Sequence, residues 1–423
     1  MGKFIIHGSN ELYGEIPCRG AKNAALKLVP ATILFDSPVE ISNMPKIEDV
    51  DRSRELFQSL GGEISQIDER TWKFDSYSID EYKLDSDLVN KFRASIMFVP
   101  ALLAKFSKAM FPHPGGCVIG AGSRPIDMFL EGYKKFGASV KHEDGHYIIE
   151  AKNGLKGCYY FMPKISVTVT ESMIMLAVLA KGKTVLRNCA MEPEIIELVD
   201  FLNRGGAKIS GAGSPEIVIE GVDKLEKADV SVVPDRIEMG TFAMLAAATK
   251  SDITITDACP EYAEVLWLMF DKIGVKYELG LDYIKVFGSK SELKSYDVKT
   301  HEYPGFVTDM QSPYVVLMTQ AQGSALIHET IYDRRLLFTD SLAQMGADII
   351  MCDPHRVVVN GPNQLHGKKL VSPDLRAGIA LIMAALLAEG KTEIDNIYQV
   401  DRGYENIEER LGKLGADIKR VDD

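Results

Sequence analysis

Six copies of one short pattern run through this chain of 423 residues. The copies lie roughly 70 residues apart, which is longer than the common solenoid repeats. A unit of that length carries several elements, so the spacing indicates a fold built by internal multiplication. Together with the chain length, it favours two domains of three repeats each. Each copy places glycine before an alternating, strand-like run, and the copies begin at Gly61, Gly137, Gly206, Gly274, Gly346 and Gly415.

Each repeat contains an apolar helix, a short strand, a charged amphipathic helix and a further strand. In the last copy, Ser372 is the predicted N-cap, Pro373 the first helical residue and Gly390 the stop signal. A helix that is apolar on nearly every side is expected to be buried. The sequence therefore predicts an α/β fold of two inside-out α/β barrels. Each would have three repeats with buried helices and outer sheets, the reverse of a TIM barrel.

Composition and charge limit the classes of function. The net charge of −12 argues against a nucleic-acid partner, although a local basic pocket could bind a small anion. The six cysteines include no CxxC pair, which is typical of a reduced protein. The N-terminus has no apolar signal core, and the apolar run at 378–388 is too short to span a bilayer. We expect a cytoplasmic protein without a membrane partner.

Unusually polar residues precede the apolar helices. Capping boxes are predicted for Thr168 with Glu171, Asp235 with Glu238 and Thr308 with Gln311.

Capping does not explain the cations at these helix starts, because the helix dipole disfavours positive charge there. Cations beside unpaired backbone N–H groups make an anion site. The sequence thus predicts a cleft for an anionic ligand, and the alternative is that each cation pairs locally with an acid. The cations are Lys22, Arg93, Arg236 and Arg376.

The glycine-rich segment 113–129 is the most loop-like part of the sequence and predicts a mobile lid. It carries Cys117 and Arg124. A lone cysteine is often a small buried apolar residue. Beside a cation in an exposed loop, however, a thiol becomes more reactive.

Three further charged residues have simple structural explanations at this point. Asp309 could complement a helix dipole. Arg335 and Arg402 lie near the starts of second helices, where paired surface charge is common. The histidines show no metal-ligand spacing, so no metal site is predicted.

Several strings closely resemble the UDP-N-acetylglucosamine 1-carboxyvinyltransferase family of enolpyruvyl transferases, and the resemblance runs from end to end. They include "RGAKNAAL" from Arg19, "PGGCVIG" from Pro114, "TDMQ" from Thr308, "DLRAG" from Asp374 and "DRGYE" from Asp401. The resemblance implies an N-terminal barrel at 22–233, which carries the Cys117 lid loop. It implies a C-terminal barrel from 1–21 and 234–423, with the active site in the cleft between the barrels.

The resemblance also implies a reaction. The enolpyruvyl group of phosphoenolpyruvate passes to the 3'-hydroxyl of UDP-N-acetylglucosamine, phosphate leaves, and peptidoglycan synthesis begins. Cys117 would protonate the methylene carbon or form a covalent adduct, and Asp309 would take the hydroxyl proton. No cofactor is implied, and a monomer is expected.

Matching positions give the expected site. The implied catalytic residues are Cys117, Asp309, Lys22 and Arg402. The implied phosphoenolpyruvate ligands are Lys22, Asn23, Arg124, Arg376 and Arg402. The implied sugar-nucleotide contacts are Arg93, Arg124, Pro125, Asp127, Lys164, Ser166, Val167, Asp309 and Ile331.

The chain departs from the family pattern at four places: a lid two residues longer, Glu48, Phe129 and Thr168. The departures leave open a paralogue that uses a related nucleotide sugar. Three more hypotheses compete with the transferase: the sister transferase of the shikimate pathway, a silent nucleotide-sugar sensor and a repeat scaffold that binds proteins.

Overall fold

The computed structural model describes residues 2–115 and 126–422. These residues divide into two compact units. The first unit holds residues 20–115 and 126–233, and the second holds residues 2–19 and 234–422. Each unit is built around its own cluster of buried apolar side chains.

Helices recur along both units. The described α-helices are α1 (Lys22–Ala31), α2 (Glu48–Ser59), α3 (Ser86–Val89), α4 (Phe98–Phe106), α5 (Asp127–Lys135), α6 (Val167–Val178), α7 (Pro193–Arg204), α8 (Arg236–Ala248), α9 (Glu264–Ile273), α10 (Gln311–Met318), α11 (Thr339–Gln344), α12 (Leu375–Leu387), α13 (Tyr398–Asp401) and α14 (Ile407–Lys413). Tighter 3-10 segments are Thr32–Leu34, Arg93–Met97, Pro260–Ala263, Gly288–Lys290 and Thr308–Met310. No helix in the described ranges has the length and apolar character needed to cross a membrane.

Short strands alternate with these helices. They are β1 (Lys3–His7), β2 (Tyr13–Pro17), β3 (Val39–Ser42), β4 (Glu63–Gln66), β5 (Trp72–Asp75), β6 (Lys108–Pro112), β7 (Ser139–Glu143), β8 (His146–Glu150), β9 (Tyr159–Phe161), β10 (Lys183–Arg187), β11 (Lys208–Ser210), β12 (Glu216–Glu220), β13 (Val230–Ser231), β14 (Asp252–Thr256), β15 (Tyr277–Leu279), β16 (Ile284–Phe287), β17 (Val298–Lys299), β18 (Gly323–His328), β19 (Asp348–Asp353), β20 (Arg356–Gly361), β21 (Lys369–Val371), β22 (Lys391–Asp395) and β23 (Asp417–Val421).

The sheets repeat one topology. In the first unit the strand orders are β13-β3-β5-β4, β6-β8-β7 and β11-β12-β10-β9. In the second unit they are β15-β16-β14-β2, β17-β18-β20-β19 and β21-β22-β1-β23. Each four-stranded sheet has one parallel edge pair and two antiparallel pairs. In the three-stranded sheet, a parallel bridge between Lys83 and Met110 extends this pattern. The fold is therefore mixed α/β and internally repeated.

The six glycines that mark the repeats share one backbone conformation. Each follows a surface helix and has φ between 91° and 107°, in the left-handed region that favours glycine. At Gly137 and Gly206 an added Cβ would meet nothing within 4 Å, so the backbone angle and not crowding requires glycine there. The repeat signature is thus a helix stop that leads into a strand.

The prediction of one buried helix per repeat is confirmed. Helices α1, α4 and α6 lie in the core of the first unit, and α8, α10 and α12 lie in the core of the second. Every residue of α8 and of α10 is buried. Full burial of each large apolar side chain stabilises the fold by about 1.5–3 kcal/mol, which explains why these helices carry so few polar residues.

The predicted start of the last buried helix is wrong by a few residues. Helix α12 begins at Leu375, and its N-cap is Asp374 in place of Ser372. The Asp374 carboxylate accepts hydrogen bonds from the backbone N–H groups of Arg376 (2.8 Å) and Ala377 (3.0 Å). Pro373 therefore precedes the helix, because the aspartate satisfies two N–H groups that a serine farther back could not reach.

The predicted capping box at Thr168 and Glu171 is also wrong. Helix α6 begins at Val167, and the Ser166 hydroxyl accepts from the N–H of Val169 at 3.4 Å. Glu171 is fully buried and faces Lys27 instead.

The other two predicted boxes fail in a different way. Asp235 does cap α8, but the Glu238 carboxylate binds Arg410 and does not reach back to the cap. At the start of α10 the Thr308 hydroxyl makes hydrogen bonds with other side chains, and no side chain caps the helix. In both places a tertiary partner replaces the local hydrogen bond.

Candidate active site

The second unit holds Asp309 between two arginines. Arg335 Nη2 lies 2.8 Å from Asp309 Oδ1, and Arg376 Nη2 lies 2.7 Å from Asp309 Oδ2. Asp309 belongs to the 3-10 segment before α10, whereas Arg376 lies in the first turn of α12. We call these three side chains the Asp309 clamp. It is a charge-assisted arrangement with both carboxylate oxygens occupied.

The clamp fixes the charge state of Asp309. Burial is the largest single effect and raises the pKa of this carboxyl, but the charges and hydrogen bonds of Arg376 and Arg335 together outweigh it and hold the pKa well below its usual range. The Arg335 and Arg376 side chains are only 3% and 7% exposed, whereas Asp309 is 26% exposed. The carboxylate is therefore ionised at neutral pH and open to solvent on one side.

A second acid, Glu329, is hydrogen-bonded to the Asp309 clamp through Thr308. Glu329 Oε2 accepts a hydrogen bond from the Thr308 hydroxyl at 2.9 Å, and the same hydroxyl accepts one from Arg335 Nη1 at 2.9 Å. Glu329 Oε1 accepts from the backbone N–H groups of Ile331 (2.8 Å) and Tyr332 (3.1 Å). Ile331, a predicted sugar-nucleotide contact, is thereby tied to the residues around Asp309.

Arg402 lies in the same unit and is 7% exposed. It follows α13, and its Nη1 donates to Gln399 Oε1 at 3.1 Å. A Cβ at Gly403 would lie 2.6 Å from Leu375 Cδ2, so this glycine allows the segment to approach the start of α12 closely. Burial and the nearby Arg376 both act on the pKa of Tyr404, and burial dominates, raising it to about 12. The structure thus brings Arg402 into the neighbourhood of Arg376.

The first unit places Lys22 and Asn23 in the first turn of α1. Lys22 is buried, and its Nζ lies 2.8 Å from Asp49 Oδ2. The backbone carbonyl of Asn23 accepts a hydrogen bond from Lys27 Nζ at 2.6 Å, and the same ammonium lies 3.4 Å from Glu171 Oε2. Lys27 thus links α1 to α6 through a buried ion pair.

Glu171 behaves in the opposite way to Asp309. Burial raises its pKa to about 8, Lys27 opposes the rise, and Glu194 and Glu192 add to it. We call Lys27, Glu171, Glu192 and Glu194 the Lys27 cluster. The carboxylates outnumber the cation, and all four side chains are buried.

The remaining predicted residues of the first unit lie at or near helix starts. Arg93 begins a 3-10 segment and its Nη1 donates to the carbonyl of Pro114 at 3.4 Å. Ser166 caps α6 and Val167 begins it. Asp127 and Lys164 are exposed, and neither has a hydrogen bond or ion pair with another described residue. The first unit therefore places Lys22 and Asn23 at the start of α1 and Ser166 and Val167 at the start of α6, and it leaves Asp127 and Lys164 at the surface.

Three predicted site residues, Cys117, Arg124 and Pro125, lie outside the described residues. The predicted lid falls largely on the same segment. Within the described residues, no group of three or more His, Cys, Asp or Glu side chains could hold a metal ion.

The structure clarifies the departures from the family pattern. Phe129 lies in α5 and is buried in the core of the first unit, so it acts in packing. Glu48 begins α2, and its Oε2 lies 3.3 Å from Arg52 Nη2. Thr168 is half-buried in the first turn of α6.

Sequence reasoning missed one of the two arginine partners of Asp309. Arg335 reads as a surface charge near a helix start, but it is buried and binds Asp309 and Thr308. Glu329 was missed as well, because only the folded chain brings it to Thr308. The available signal was the density of charge in "HETIYDRR", which does not by itself show which of these charges is buried.

Local pairing between the cationic helix starts and nearby acids does occur. Lys22 pairs with Asp49, and Arg376 pairs with Asp309. Arg236 lies over the Tyr303 ring, with its guanidinium carbon 5.3 Å from the ring centre. The acids hold their cations in place, which is compatible with an anionic ligand that competes for them.

Comparisons with known proteins bear on the whole chain. Residues 6–411 match the family model described as EPSP synthase (3-phosphoshikimate 1-carboxyvinyltransferase). A protein from Halothermothrix orenii named UDP-N-acetylglucosamine 1-carboxyvinyltransferase is 43% identical over 422 residues, with 100% of both chains covered. A protein of the same name from Desulforapulum autotrophicum is 44% identical over 422 residues, again with 100% of both chains covered.

Solved structures are similar as well. The crystal structure of the enolpyruvyl transferase NikO from Streptomyces tendae has a TM-score of 0.90 and 25% sequence identity, and covers 99% of each chain. EPSP synthase from Acinetobacter baumannii has a TM-score of 0.75 and 17% identity over 100% of both chains. The second likeness bears on the fold alone.

Proposed function

The chain belongs to the enolpyruvyl transferase family that includes the UDP-N-acetylglucosamine 1-carboxyvinyltransferases, and we propose that it catalyses the reaction in that name. It transfers the enolpyruvyl group of phosphoenolpyruvate to the 3'-hydroxyl of UDP-N-acetylglucosamine and releases phosphate. This reaction is the first committed step of peptidoglycan synthesis, and through it the protein serves cell-wall biogenesis, cell shape and cell division.

The observation that carries the chemical assignment is the Asp309 clamp. Asp309 is an ionised carboxylate that can accept a proton, and it is one-quarter exposed beside two buried arginines. A general base and cations for an anionic substrate are what this reaction needs within one site. The identity of 43–44% with full-length proteins of that name supports the choice of acceptor.

We assign Asp309 as the base that takes the proton from the sugar hydroxyl as its oxygen bonds to the enolpyruvyl carbon. Cys117 protonates the methylene carbon, which gives a tetrahedral intermediate with a new methyl group. Loss of phosphate together with one methyl proton then restores the carbon–carbon double bond of the enolpyruvyl product. The phosphoenolpyruvate ligands are Lys22, Asn23, Arg124, Arg376 and Arg402.

Arg376 has two roles in this proposal. Its guanidinium binds Asp309 Oδ2 at 2.7 Å and is also a phosphoenolpyruvate ligand. A substrate anion that binds Arg376 weakens the ion pair between Arg376 and Asp309, and this ion pair is one of the interactions that lower the pKa of Asp309. The base thus becomes stronger when the second substrate binds, which restricts proton abstraction to the ternary complex.

The sugar-nucleotide contacts complete the assignment. They are Arg93, Arg124, Pro125, Asp127, Lys164, Ser166, Val167, Asp309 and Ile331. We further propose that each unit is an inside-out α/β barrel of three repeats and that the protein acts as a cytoplasmic monomer. The three sheets and three buried helices of each unit support the repeat count.

A second candidate is a paralogue with a related nucleotide sugar as acceptor. Thr168 favours it, because this residue lies in the first turn of α6, directly after two assigned nucleotide contacts. Phe129 is buried in the core and does not favour it.

Phosphate release tests the proposal directly. The wild-type protein, with phosphoenolpyruvate, is assayed with UDP-N-acetylglucosamine, other UDP-sugars or shikimate 3-phosphate as acceptor. Cys117→Ser is the test variant, and Cys352→Ser, a change at an exposed thiol of β19, is the matched control.

We expect turnover with UDP-N-acetylglucosamine that is impaired in Cys117→Ser and unchanged in Cys352→Ser. Faster turnover with another UDP-sugar would identify the paralogue, and turnover only with shikimate 3-phosphate would identify the sister enzyme. Tight nucleotide-sugar binding without any turnover would reject catalysis and indicate a sensor.

A further inference from the structure

We propose that Glu329 and Thr308 are positioning residues that orient Arg335 toward Asp309 and thereby set the reactivity of the proposed base. This inference rests on the proposed function, because it assumes that Asp309 accepts the proton of the sugar hydroxyl. Neither residue needs to touch a substrate. Their effect would pass through Arg335.

The direction of each hydrogen bond in this group is fixed by chemistry. An ionised carboxylate can only accept, and a guanidinium can only donate. Thr308 has one hydroxyl proton, which it donates to Glu329 Oε2, so its oxygen is available to accept from Arg335 Nη1. Glu329 therefore fixes the direction of the Thr308 O–H bond, which leaves the hydroxyl oxygen free to accept from Arg335.

Arg335 depends on few other contacts. Its Nη1 binds Thr308, its Nη2 binds Asp309, and its Nε has no hydrogen-bond partner among the described residues. The Tyr332 ring centre lies 5.2 Å from the guanidinium carbon. Two hydrogen-bond partners, Asp309 and the Thr308 hydroxyl, therefore fix the orientation of the Arg335 guanidinium.

Glu329 itself is firmly anchored. Its side chain is fully buried, and its backbone N–H donates to the carbonyl of His355 at 2.8 Å. Its Oε1 holds the N–H groups of Ile331 and Tyr332. One side chain thus connects the segment assigned to the sugar nucleotide with the arginine that binds the base. The Glu329 carboxylate therefore affects both the segment proposed to bind the sugar nucleotide and the orientation of the proposed base.

Variants at Thr308 separate positioning from packing. Thr308→Val keeps the shape but removes the hydroxyl, Thr308→Ser keeps the hydroxyl, and Glu329→Gln supplies an amide that cannot accept all three hydrogen bonds. Thr392→Val is the matched control, because Thr392 is buried in β22 of the same unit and its hydroxyl has no described partner. The readouts are kcat, KM for both substrates, and the pH profile of kcat/KM, which reports groups of the unliganded enzyme.

We expect Thr308→Val and Glu329→Gln to lower kcat by about 10- to 100-fold, since a small misplacement of a reacting group has effects of that size. The acid limb of kcat/KM should move to higher pH, because a loosened Arg335 lowers the pKa of Asp309 less. Thr308→Ser should restore both quantities toward wild type, and Thr392→Val should change neither.

The guanidinium ¹⁵N–¹H signals of Arg335 provide a readout that does not need turnover. They should show slow exchange with water in the wild type and fast exchange in Thr308→Val. Unchanged Arg335 signals together with a wild-type pH profile in Thr308→Val and Glu329→Gln would overturn the positioning role. An inactive wild type with protected Arg335 signals would instead reject the proposed function and leave the hydrogen-bond arrangement intact.

Discussion

The second unit holds one carboxylate between two arginines, whereas the first unit surrounds one lysine with several carboxylates. In the Asp309 clamp the cations are in excess, and their attraction outweighs the cost of burial, so the pKa of Asp309 falls. In the Lys27 cluster the acids are in excess, and burial raises the pKa of Glu171 to about 8. Asp309 and Arg376 lie at the starts of the buried helices α10 and α12, whereas Lys27 and Glu171 lie within the buried helices α1 and α6.

The contrast shows that burial alone does not decide the charge of a carboxyl group. The ratio of cations to acids around it decides whether desolvation is overcome. A third cluster has a balanced ratio. Arg410 binds Glu238 through two hydrogen bonds of 2.6 and 3.0 Å, and it also donates to the carbonyl of Pro17 at 2.7 Å. The following changes test this interpretation, beginning with the largest expected effect.

Asp309→Asn should reduce kcat by about 100- to 10,000-fold, the usual contribution of a general base. It should also destabilise the second unit at neutral pH. A carboxyl whose folded pKa lies below its unfolded value contributes stability above the unfolded pKa, and that contribution is lost as the pH falls through the folded pKa.

Asp353→Asn is the control for this change, because Asp353 pairs with Arg356 at the surface of the same unit. Steady-state kinetics and thermal unfolding at neutral pH would measure both effects. Near-normal kcat in Asp309→Asn would show that the clamp is structural and not catalytic.

Arg410→Met should lower the free energy of unfolding by about 3–5 kcal/mol, because it leaves the Glu238 carboxylate buried without its cation. The expected loss in Tm is on the order of 10 °C. Arg356→Met, at an exposed ion pair, should cost far less stability, because solvent screens a surface pair. Equal losses of unfolding free energy in the two variants would mean that the buried Arg410–Glu238 pair stabilises the protein no more than the surface pair of Arg356 and Asp353.

Glu171→Gln should change the pH dependence of stability by a few kcal/mol. The folded pKa of about 8 lies above the ordinary value of 4.5, so the folded protein holds the proton over this interval and the unfolded chain does not. Wild-type stability should therefore fall as the pH rises from about 4.5 to about 8. The glutamine variant mimics the protonated carboxyl and should lack that fall, which urea unfolding at pH 5, 7 and 9 would reveal. If the free energy of unfolding had the same pH dependence in both proteins, Glu171 would not have a raised pKa in the folded state.

The smallest effects are expected at two buried hydroxyls, Thr184 in β10 and Thr392 in β22. Each occupies the second position of the strand that follows a buried helix, and neither hydroxyl has a hydrogen-bond partner among the described residues. Thr184→Val and Thr392→Val should each leave stability unchanged or raise it by up to about 1 kcal/mol. Calorimetry can detect the corresponding Tm change of about 2–4 °C. A large loss at either position would indicate a hydrogen bond that the contacts do not include.

Much of the fold was predictable because it depends on local patterns. Wholly apolar helices have to be buried, and a glycine after a surface helix permits the left-handed stop that turns the chain into a strand. Gly137 and Gly206 illustrate this, since open space surrounds both and only the backbone angle requires glycine. The order of elements in each repeat follows from these signals.

The site was only partly predictable, because its partners are far apart in the sequence. Asp309 meets Arg335 and Arg376 across 26 and 67 residues. Thr308 reads locally as the start of a capping box, yet its hydroxyl binds Glu329 and Arg335. Sequence determined which helices are buried and where each repeat turns. Tertiary structure decided which acid faces which cation, and with it the opposite pKa shifts of Asp309 and Glu171, because electrostatic energy depends on distances that only the folded chain sets.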